Sequence, residues 1–278
     1  MNSNYPLLQH AEPIMTVTFD FTGKVVLVTG GGSGIGRATA EAFAAAGAAV
    51  VVGDIAHESG TAAVDAIRSA GGTAEFVKVD VASEDSVQSL LHEIEQRFGG
   101  LDIAHNNAGI EADLVPLAEL SSDNWRRVMD VNLSSIFYCL KGQIPLMLKR
   151  GGGAIVNTAS ASGLIGGYRL SAYTATKHGV VGLTKAAAID YADKNIRINA
   201  LCPGPIDTPF LANLPGPMRD RLLFGTPIGR LGTPAEMARS VLWLCSDDAS
   251  YVTGHAMAVD GAVTVAAIGT RMDDLFPA

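Results

Sequence analysis

The sequence predicts an α/β fold in which one doubly wound parallel sheet of about seven strands is flanked by helices. Short β-branched runs alternate with helical patterns from Lys24 onward, most of these runs are apolar throughout, and no linker or repeat divides the chain. Continuous apolar runs are typical of strands that are covered on both faces. Because parallel neighbours need helical crossovers, the alternation favours a single domain with helices on both sides of the sheet.

The strands and helices are predicted in a regular order. Strands are expected at 24–29, 49–53, 74–80, 101–105, 154–158, 196–201 and 255–260. The clearest helix, at 83–98, places Val87, Leu90, Leu91, Ile94 and Phe98 at the i, i+3, i+4, i+7 spacing of one buried face. A second helix, at 233–246, begins with a capping box in which Thr233 precedes Pro234 and Glu236.

Composition favours a well-folded protein of a reducing compartment. Of the 278 residues, 48% are hydrophobic and 17% are charged, far from the balance of disordered chains. The formal net charge of -8 repels phosphate backbones, so no nucleic acid partner is expected. Cys139, Cys202 and Cys245 lie far apart beside apolar residues, which indicates reduced thiols and a cytoplasmic location.

The N-terminal segment differs from the rest of the chain. Residues 1–20 contain two prolines, no lysine or arginine and no apolar block, so we expect a flexible extension rather than a secretory signal. The folded domain is expected to span residues 21–278, and Met15 is an alternative start. The longest nearly uncharged stretch, residues 42–53, is shorter than the roughly 18 apolar residues that span a bilayer, so no membrane association is expected.

A glycine-rich turn follows the first predicted strand. Residues 29–36 read Thr-Gly-Gly-Gly-Ser-Gly-Ile-Gly and precede a predicted helix at 37–46. Glycines allow close backbone approach to a pyrophosphate, and the N–H groups at a helix start favour an anion. The pattern predicts dinucleotide binding by Gly30, Ser33, Gly34, Ile35 and Gly36, with an ordinary strand-to-helix turn as the alternative.

Acidic residues follow the second and third predicted strands. Asp54 can accept both hydroxyls of an adenosine ribose and would repel a 2'-phosphate, which favours NAD and makes NADP less likely as the cofactor. Ser33 also favours NAD, because a basic residue at this position could have paired with the 2'-phosphate of NADP. Asp80, followed by Val81, is a candidate contact for the adenine amino group. Each aspartate could instead be a turn or N-cap residue.

Tyr173 and Lys177 lie four residues apart in a predicted helix at 171–192, so their side chains share one face. Ser160 follows the fifth predicted strand, at the sheet edge expected to hold the glycine-rich turn. With these residues, the sequence resembles the short-chain dehydrogenase/reductase family. The resemblance also includes Asn132, Asn-Asn-Ala-Gly at 106–109 and Pro-Gly-Pro-Ile-Asp-Thr at 203–208. The resemblance is to the branch with TGxxxGxG and YxxxK motifs, covers residues 21–263, and implies a Rossmann fold.

The resemblance implies an NAD-dependent oxidoreductase that transfers a hydride between the nicotinamide and a secondary alcohol or ketone. Tyr173 is then the general acid/base, and Lys177 and the positive nicotinamide ring are expected to lower its pKa. A free phenol has a pKa near 10, so a base at pH 7 requires about 4 kcal/mol of preferential phenolate stabilisation. Ser160 orients the substrate oxygen. Asn132 takes part in a proton relay.

The remaining cofactor contacts also come from the resemblance. It places Asn107 against the ribose, Lys177 at the nicotinamide ribose, and Ile206 with Thr208 at the nicotinamide carboxamide. Without the resemblance, Ser160 and Asn107 would be interpreted as turn residues, and Asn132 as a polar helix residue. His105 departs from the family pattern and is expected to be a buried structural histidine. The histidines show no spacing typical of zinc ligands, so no metal is expected.

Three stretches are expected to line a largely apolar substrate pocket: 110–116, 161–170 and the insertion 209–230, which has the composition of a mobile lid. Leu164, Ile165, Phe210, Leu211, Leu214 and Met218 are apolar residues of these stretches, while Glu111, Tyr168 and Arg169 leave room for polar groups. The broad apolar surface of the helix at 171–192 and the tail at 263–268 suggest a homo-oligomer, a tetramer or a dimer.

Two other functions remain open on the same residues. A non-catalytic NAD-binding sensor or scaffold could use the same fold, although such a protein has no need of a poised phenol. An isomerase or lyase with a transient hydride would resemble the extended branch of the family, whose glycine spacing and longer C-terminal region are absent from this sequence. The sequence does not name the substrate.

Overall fold

The computed structural model describes residues 18–212, residue 216 and residues 222–266. The strands are β1 (Val25–Thr29), β2 (Ala49–Asp54), β3 (Thr73–Lys78), β4 (Ile103–Asn106), β5 (Gly153–Thr158), β6 (Ile196–Pro203) and β7 (Ala256–Val259). They form one sheet in the order β3-β2-β1-β4-β5-β6-β7, and every pair of neighbours is parallel. The predicted fold class is therefore confirmed.

Helices connect the strands and cover both faces of the sheet. They are α1 (Gly34–Ala45), α2 (His57–Ser69), α3 (Glu84–Phe98), α4 (Ser122–Met129), α5 (Ser135–Lys149), α6 (Ser171–Tyr191), α7 (Pro209–Ala212) and α8 (Pro234–Cys245). A π-helical turn, Asp130–Ser134, joins α4 to α5. The chain order reverses between β1 and β4, and in such sheets ligands bind beyond the carboxyl ends of the strands at this point.

Each face of the sheet has its own hydrophobic core. Leu27, Ala104 and Ile155 face a core that includes residues of α3, α5 and α6. Their neighbours Val28, Ile103 and Val156 face the opposite core, with residues of α1, α2 and α8. Both faces are apolar because helices cover both, which explains why the strand sequences do not alternate in polarity.

Several helix ends agree with their sequence signals. The capping box of α8 is confirmed: Thr233 accepts the Glu236 N–H, and the Glu236 carboxylate accepts the Thr233 N–H at 2.8 Å. The Ser83 side chain caps the start of α3 by accepting the Ser86 N–H. Gly99 ends that helix in a left-handed conformation with φ 72°.

Some element boundaries were predicted wrongly. The helix predicted at 37–46 begins three residues earlier, at Gly34, inside the glycine-rich turn itself. The fourth strand was predicted at 101–105 but begins at Ile103, because the Asp102 side chain accepts the Val25 N–H at 2.8 Å and an N–H of Arg150 at 2.9 Å. These contacts come from distant parts of the chain, so local pattern could not indicate them.

Some expectations concern residues outside the described ranges. They are the extension over 1–17, the insertion at 213–215 and 217–221 with Leu214 and Met218, and the tail from 267 onward. At the start of the described chain, Phe21 is buried and its ring contacts that of Phe43 with centroids 4.9 Å apart. The described chain therefore packs against the core from the first residues before β1.

Candidate active site

The glycine-rich turn lies at the carboxyl end of β1 and leads directly into α1. Gly30 has a φ of 63°, and a Cβ there would lie 2.9 Å from the Cα of Ala108. A Cβ on Gly36 would lie 2.1 Å from the Gly30 carbonyl oxygen. Side chains at either position are therefore excluded, and the backbone stays open at the start of α1. The first N–H groups of a helix have no intrahelical partner, so Ser33, Gly34, Ile35 and Gly36 can offer donors to a pyrophosphate.

Asp54 is held against this turn at the end of β2. One carboxylate oxygen accepts the Gly32 N–H and the other accepts the Ala56 N–H, each at 2.9 Å. A Cβ on Gly32 would meet the Asp54 carboxylate at 2.9 Å, so the close approach requires glycine. Each carboxylate oxygen keeps a second lone pair for a further donor. The negative charge of Asp54 is therefore fixed beside the turn.

Asp80 and Val81 follow β3 at the same edge of the sheet. One Asp80 carboxylate oxygen accepts the Ala82 N–H at 3.0 Å, and the Asp80 side chain is exposed. Val81 is buried. The structure thus places Asp80 in a local turn, as one of the two sequence interpretations expects, and its second carboxylate oxygen faces no donor among the described residues.

Residues that follow β4 and β6 meet the turn from two directions. The Asn107 side chain donates to the carbonyls of Thr29 and Gly30 at 3.3 Å, so it braces the turn from β4. From the loop after β6, a Thr208 methyl carbon would lie 3.3 Å from a Cβ on Gly34. The Thr208 hydroxyl donates to the Ile206 carbonyl at 3.3 Å. The structure therefore brings Asn107, Ile206 and Thr208 to the glycine-rich turn.

Tyr173, Ser160 and Lys177 meet beyond the carboxyl end of β5. Ser160 and Tyr173 are hydrogen-bonded through their side chains. The Lys177 ammonium lies 5.5 Å from the centroid of the Tyr173 ring and donates to the Thr158 carbonyl at 2.9 Å. The Lys177 side chain is buried, whereas Ser160 and Tyr173 are half-buried at the edge of the crevice. The Tyr173 hydroxyl, hydrogen-bonded with Ser160 from the loop after β5, is thus one turn of α6 away from the Lys177 cation.

Burial dominates the electrostatics of this cluster. It raises the pKa of Tyr173 to about 12; the hydrogen bond with Ser160 acts in the opposite direction, and the Glu111 carboxylate raises the pKa further. Burial also lowers the pKa of Lys177 to about 8. This direction applies to the protein residues alone, whereas the expected lowering of the Tyr173 pKa involves Lys177 together with the positive nicotinamide ring and stays a prediction.

Asn132 lies in the π-helical turn between α4 and α5 and is fully buried. Its side-chain oxygen accepts the Ile110 N–H at 2.8 Å, and its side-chain nitrogen donates to the Ile110 carbonyl at 2.9 Å. A Cβ on Gly109 would lie 3.3 Å from the Asn132 oxygen and 3.7 Å from the Lys177 ammonium. Asn132 therefore secures the segment after β4 close to Lys177.

His105 belongs to a buried polar cluster at this edge that the sequence did not reveal. Its Nε2 lies 2.8 Å from the Thr158 hydroxyl, which donates to the Asn107 side-chain oxygen at 3.4 Å. The Thr158 hydroxyl therefore joins His105 to Asn107. The Nδ1 of His105 has no hydrogen-bond partner among the described residues, and burial lowers the pKa of His105 to about 3. His105 is thus a neutral histidine, satisfied on one nitrogen only.

A second buried polar cluster, also missed, lies on the other face of the same two strands. Asn106 and Gln143 exchange amide hydrogen bonds of 3.0 and 2.7 Å. Asn106 also donates to Asn157 at 2.9 Å, and Asn157 donates to Thr184 at 3.0 Å. Asn106 belongs to the Asn-Asn-Ala-Gly motif, so its presence was visible in the sequence. Its partners on α5 and α6 were not, because nothing local marks them.

The substrate side of the crevice carries both apolar and polar groups. Ile110 and Tyr173 pack against a small cluster of Ala112, Val128 and Ala172. A cavity of about 650 Å³ opens where two of the expected pocket stretches meet, lined in part by Pro116, Leu117, Tyr168, Arg169 and Thr174. Leu164 and Ile165 are 36% and 39% exposed, so apolar surface faces solvent in this region.

The described residues also bear on metal binding, membrane spanning and disulfide formation. No group of three or more His, Cys, Asp or Glu side chains among them is arranged to hold a metal ion. None of the helices in those ranges is long and apolar enough to cross a membrane. Cys139, Cys202 and Cys245 are buried and form no disulfide.

Comparison with known proteins links this geometry to a family. A family model described as enoyl-(acyl carrier protein) reductase matches residues 30–264. Cyclohexanol dehydrogenase of Acinetobacter sp. (strain SE19) is 49% identical over 88% of this chain and 96% of its own. A 2,5-dichloro-2,5-cyclohexadiene-1,4-diol dehydrogenase of Sphingobium indicum is 47% identical over 88% and 98%. Cis-4-hydroxycyclohexanecarboxylate dehydrogenase of Sinomonas cyclohexanicum is 45% identical over 88% and 98%.

Solved structures agree with the sequence relatives. The crystal structure of levodione reductase is 37% identical, has a TM-score of 0.86, and aligns over 88% of this chain and 99% of its own. A putative 2-deoxy-D-gluconate 3-dehydrogenase from Agrobacterium tumefaciens with bound NADP is 35% identical, with a TM-score of 0.83 over 90% and 100%. These neighbours share the whole of the described sheet rather than a part of it.

Proposed function

The chain belongs to the short-chain dehydrogenase/reductase family and is an oxidoreductase that acts on alcohol groups, and from this we propose a more specific activity. It is an NAD-dependent dehydrogenase that transfers a hydride between the nicotinamide and the carbinol carbon of a cyclic secondary alcohol, or the corresponding ketone. The observation that carries the proposal is the meeting of Ser160, Tyr173 and Lys177 beside the glycine-rich turn.

The crevice fits a dinucleotide by two independent features. Gly30 and Gly36 lie where any side chain would collide with backbone, which leaves the start of α1 open to a pyrophosphate. Asp54 offers a fixed carboxylate for the adenosine ribose. When bound, the nicotinamide supplies the hydride chemistry that no side chain can perform.

Tyr173 exchanges the proton of the substrate oxygen in this proposal. Its hydroxyl is hydrogen-bonded with Ser160, so one substrate oxygen can contact both side chains. Ser160 then holds that oxygen in position and donates to it as negative charge develops. The Ser160 hydroxyl also accepts the Ser162 N–H at 3.1 Å, which fixes its orientation.

Lys177 and Asn132 complete the proton path. A phenol whose pKa burial raises to about 12 needs additional positive charge to act as a base at neutral pH. Lys177 supplies one such charge, and its pKa of about 8 keeps most of the ammonium protonated at pH 7. Lys177 and Asn132 both lie close to Gly109, so a water there could form part of a proton relay from the ammonium to solvent.

The preference for NAD rests on Asp54. A carboxylate already fixed by two backbone N–H groups cannot turn away from a 2'-phosphate, and the two anions repel each other. A similar solved structure contains bound NADP, so the choice between NAD and NADP needs a direct test. We expect kcat/KM with NAD to exceed that with NADP at least tenfold, and Asp54→Asn to reduce that ratio. A preference of the unaltered enzyme for NADP would overturn this assignment.

A cyclic secondary alcohol fits both the crevice and the relatives. Ile110, Ala112, Leu164 and Ile165 provide apolar contacts for a ring, and three relatives are named for six-membered cyclic alcohols. A ring carbinol can present its oxygen to Ser160 and Tyr173 while its ring carbons contact the apolar side chains.

A homo-oligomer of cytoplasmic location remains part of the proposal. Phe137 on α5 is 48% exposed, and Ile189 on α6 is 79% exposed. Exposed apolar side chains of this size favour burial against another subunit. Three buried, unpaired thiols favour a reducing compartment. Light scattering is expected to give a dimer or tetramer, and a stable monomer would contradict the proposed association.

The decisive experiment measures NADH absorbance with a panel of cyclic alcohols and ketones, using NAD and NADP in parallel. Turnover of cyclohexanol-type substrates is expected, and Tyr173→Phe should lower kcat by about 10²- to 10⁴-fold. Tyr251→Phe, at a fully exposed tyrosine, is the matched control and should match the unaltered enzyme. Tight NADH binding without turnover of any alcohol or ketone would instead favour the non-catalytic sensor or scaffold.

A further inference from the structure

Glu111 is an exposed residue between two members of the small cluster that contains Tyr173, and it has no part in the proton path described above. It directly follows Ile110, whose backbone N–H and carbonyl are both held by the Asn132 side chain. The residues on both sides of it, Ile110 and Ala112, pack into the cluster that includes Tyr173 and Ala172. The backbone of Glu111 is therefore fixed beside the reactive phenol, while its side chain is exposed.

The charge of Glu111 reaches the reaction centre. The Glu111 carboxylate raises the pKa of Tyr173, because its negative charge disfavours the phenolate. Partial burial raises the pKa of Glu111 itself, so the carboxylate is less well hydrated than a carboxylate in open water. The buried Lys177 ammonium lies 5.5 Å from the centroid of the Tyr173 ring, and it donates to the Thr158 carbonyl rather than to Glu111.

Glu111 also differs from most glutamates of the chain. Glu41, Glu75, Glu84, Glu93, Glu95 and Glu236 each form an ion pair with lysine or arginine. Glu111 forms neither an ion pair nor a hydrogen bond with any residue of the described ranges. Its carboxylate oxygens are thus available acceptors next to the cluster that contains Tyr173.

We propose that Glu111 selects the substrate class: the crevice prefers neutral ring alcohols that carry a second hydroxyl and discriminates against ring alcohols that carry a carboxylate. This inference rests on the proposed function, because it concerns the substrate of the same site. A second hydroxyl donates to the Glu111 carboxylate and gains a charge-assisted hydrogen bond. An anionic substituent meets a fixed like charge in a partly desolvated crevice.

The effect is expected to be moderate because Glu111 remains partly exposed and solvent screens its charge. Replacing the carboxylate by the isosteric amide removes the charge and keeps the shape. In Glu111→Gln, the kcat/KM ratio of cis-4-hydroxycyclohexanecarboxylate to cyclohexanol should rise about fivefold to tenfold. The ratio of cyclohexane-1,4-diol to cyclohexanol should fall about threefold or more.

Ratios within one variant cancel any general change in Tyr173 basicity, so they report selection alone. Glu119→Gln is the matched control, because Glu119 is an exposed glutamate of the same loop region that forms no ion pair in the described ranges. Both ratios should stay at the unaltered values in this control. Ratios within twofold of the unaltered enzyme in Glu111→Gln would overturn the inference while leaving the proposed function intact.

Binding measurements separate the inference from the proposed activity. Calorimetric titration with cyclohexanecarboxylate and with cyclohexane-1,4-diol compares anion and diol without any turnover. The Glu111→Gln variant should bind the carboxylate more tightly and the diol more weakly than the unaltered protein. Absence of turnover with every cyclic alcohol would refute the proposed function, and unchanged relative affinities would refute the role of Glu111.

Discussion

Strands β4 and β5 each place polar side chains on both faces of the sheet, and the two resulting clusters differ in kind. On the α5 and α6 face, Asn106, Gln143, Asn157 and Thr184 form the amide cluster. Toward the opposite face and the carboxyl edge, His105, Thr158, Asn107 and Lys177 form the edge cluster. Adjacent residues of one strand thus serve two separate networks, because successive side chains point to opposite faces.

The amide cluster is closed. Asn106 and Gln143 satisfy each other, Asn157 links them to Thr184, and all four side chains are almost fully buried. Such a network joins two strands to two helices and leaves nothing over for a ligand. Its expected contribution is to the stability and the alignment of α6.

The edge cluster is open. His105 has a nitrogen without a partner in the described ranges, Asn107 braces the glycine-rich turn, and the Lys177 ammonium uses one of its donors on the Thr158 carbonyl. The ammonium keeps further donors beyond the one used on Thr158. We therefore expect the edge cluster, unlike the amide cluster, to serve a ligand and a proton path.

The largest expected effect tests whether the edge cluster serves chemistry rather than stability. Lys177→Met should lower kcat by about 10²- to 10³-fold, because the phenolate loses its neighbouring cation. Its free energy of unfolding should stay equal or rise, because the substitution removes a buried charge with no carboxylate partner. Steady-state kinetics and urea denaturation measure the two quantities.

Exposed Lys194→Met is the matched control for this variant and should leave kcat at the unaltered value. A Lys177→Met enzyme that unfolds much more easily but turns over normally when folded would reverse the assignment of the edge cluster.

The second prediction concerns the amide cluster. Gln143→Leu should reduce the free energy of unfolding by about 3 kcal/mol, because Asn106 loses its reciprocal amide partner in the interior. The folded variant should keep kcat within a few fold of the unaltered enzyme. Urea denaturation followed by circular dichroism gives the stability, with the exposed Gln96→Leu as control.

A loss of turnover in Gln143→Leu that exceeds its loss of folded protein would show that the amide cluster also positions the reacting groups. The distinction between the two clusters would then be one of degree.

The smallest expected effect is the pH dependence contributed by His105. Burial lowers the pKa of His105 to about 3, while an unfolded histidine titrates near 6.5. Between these values the unfolded chain binds a proton that the folded chain does not, so stability is complete above pH 6.5 and falls as the pH drops. At pH 5 the loss from this group should be about 2 kcal/mol relative to pH 7.

His105→Leu should lack this portion of the pH dependence, measured as the change in free energy of unfolding between pH 7 and pH 5. His92→Leu, at an exposed position, should track the unaltered protein. Equal slopes in His105→Leu and the unaltered protein would mean that the open nitrogen of His105 takes up a proton in the folded state.

The sequence predicted the fold and the site positions through short-range and fixed-offset signals. Apolar runs bounded by glycine indicated the strands, and the four-residue spacing of Tyr173 and Lys177 indicated one helix face. The capping box of α8 needed only Thr233 and its following residues. These features depend on neighbours along the chain, which a sequence displays directly.

Features that depend on distant residues were not predictable in this way. The start of β4 is set by contacts of Asp102 with Val25 and Arg150, and the partner of Asn106 lies on another helix. The rise of the Tyr173 pKa that burial causes was not predicted either, because the number of atoms that exclude water from the phenol is a property of the assembled crevice.

The amino-acid sequence by itself determined the parallel sheet, the glycine-rich turn and the residues that meet at its edge, because periodicity and spacing follow from backbone geometry. Only the tertiary structure decided which polar groups are closed off, which way burial moves the pKa of each buried group, and that Glu111 stands beside the phenol. Solvent exclusion and long-range pairing arise when separate segments pack together, so no single segment encodes them.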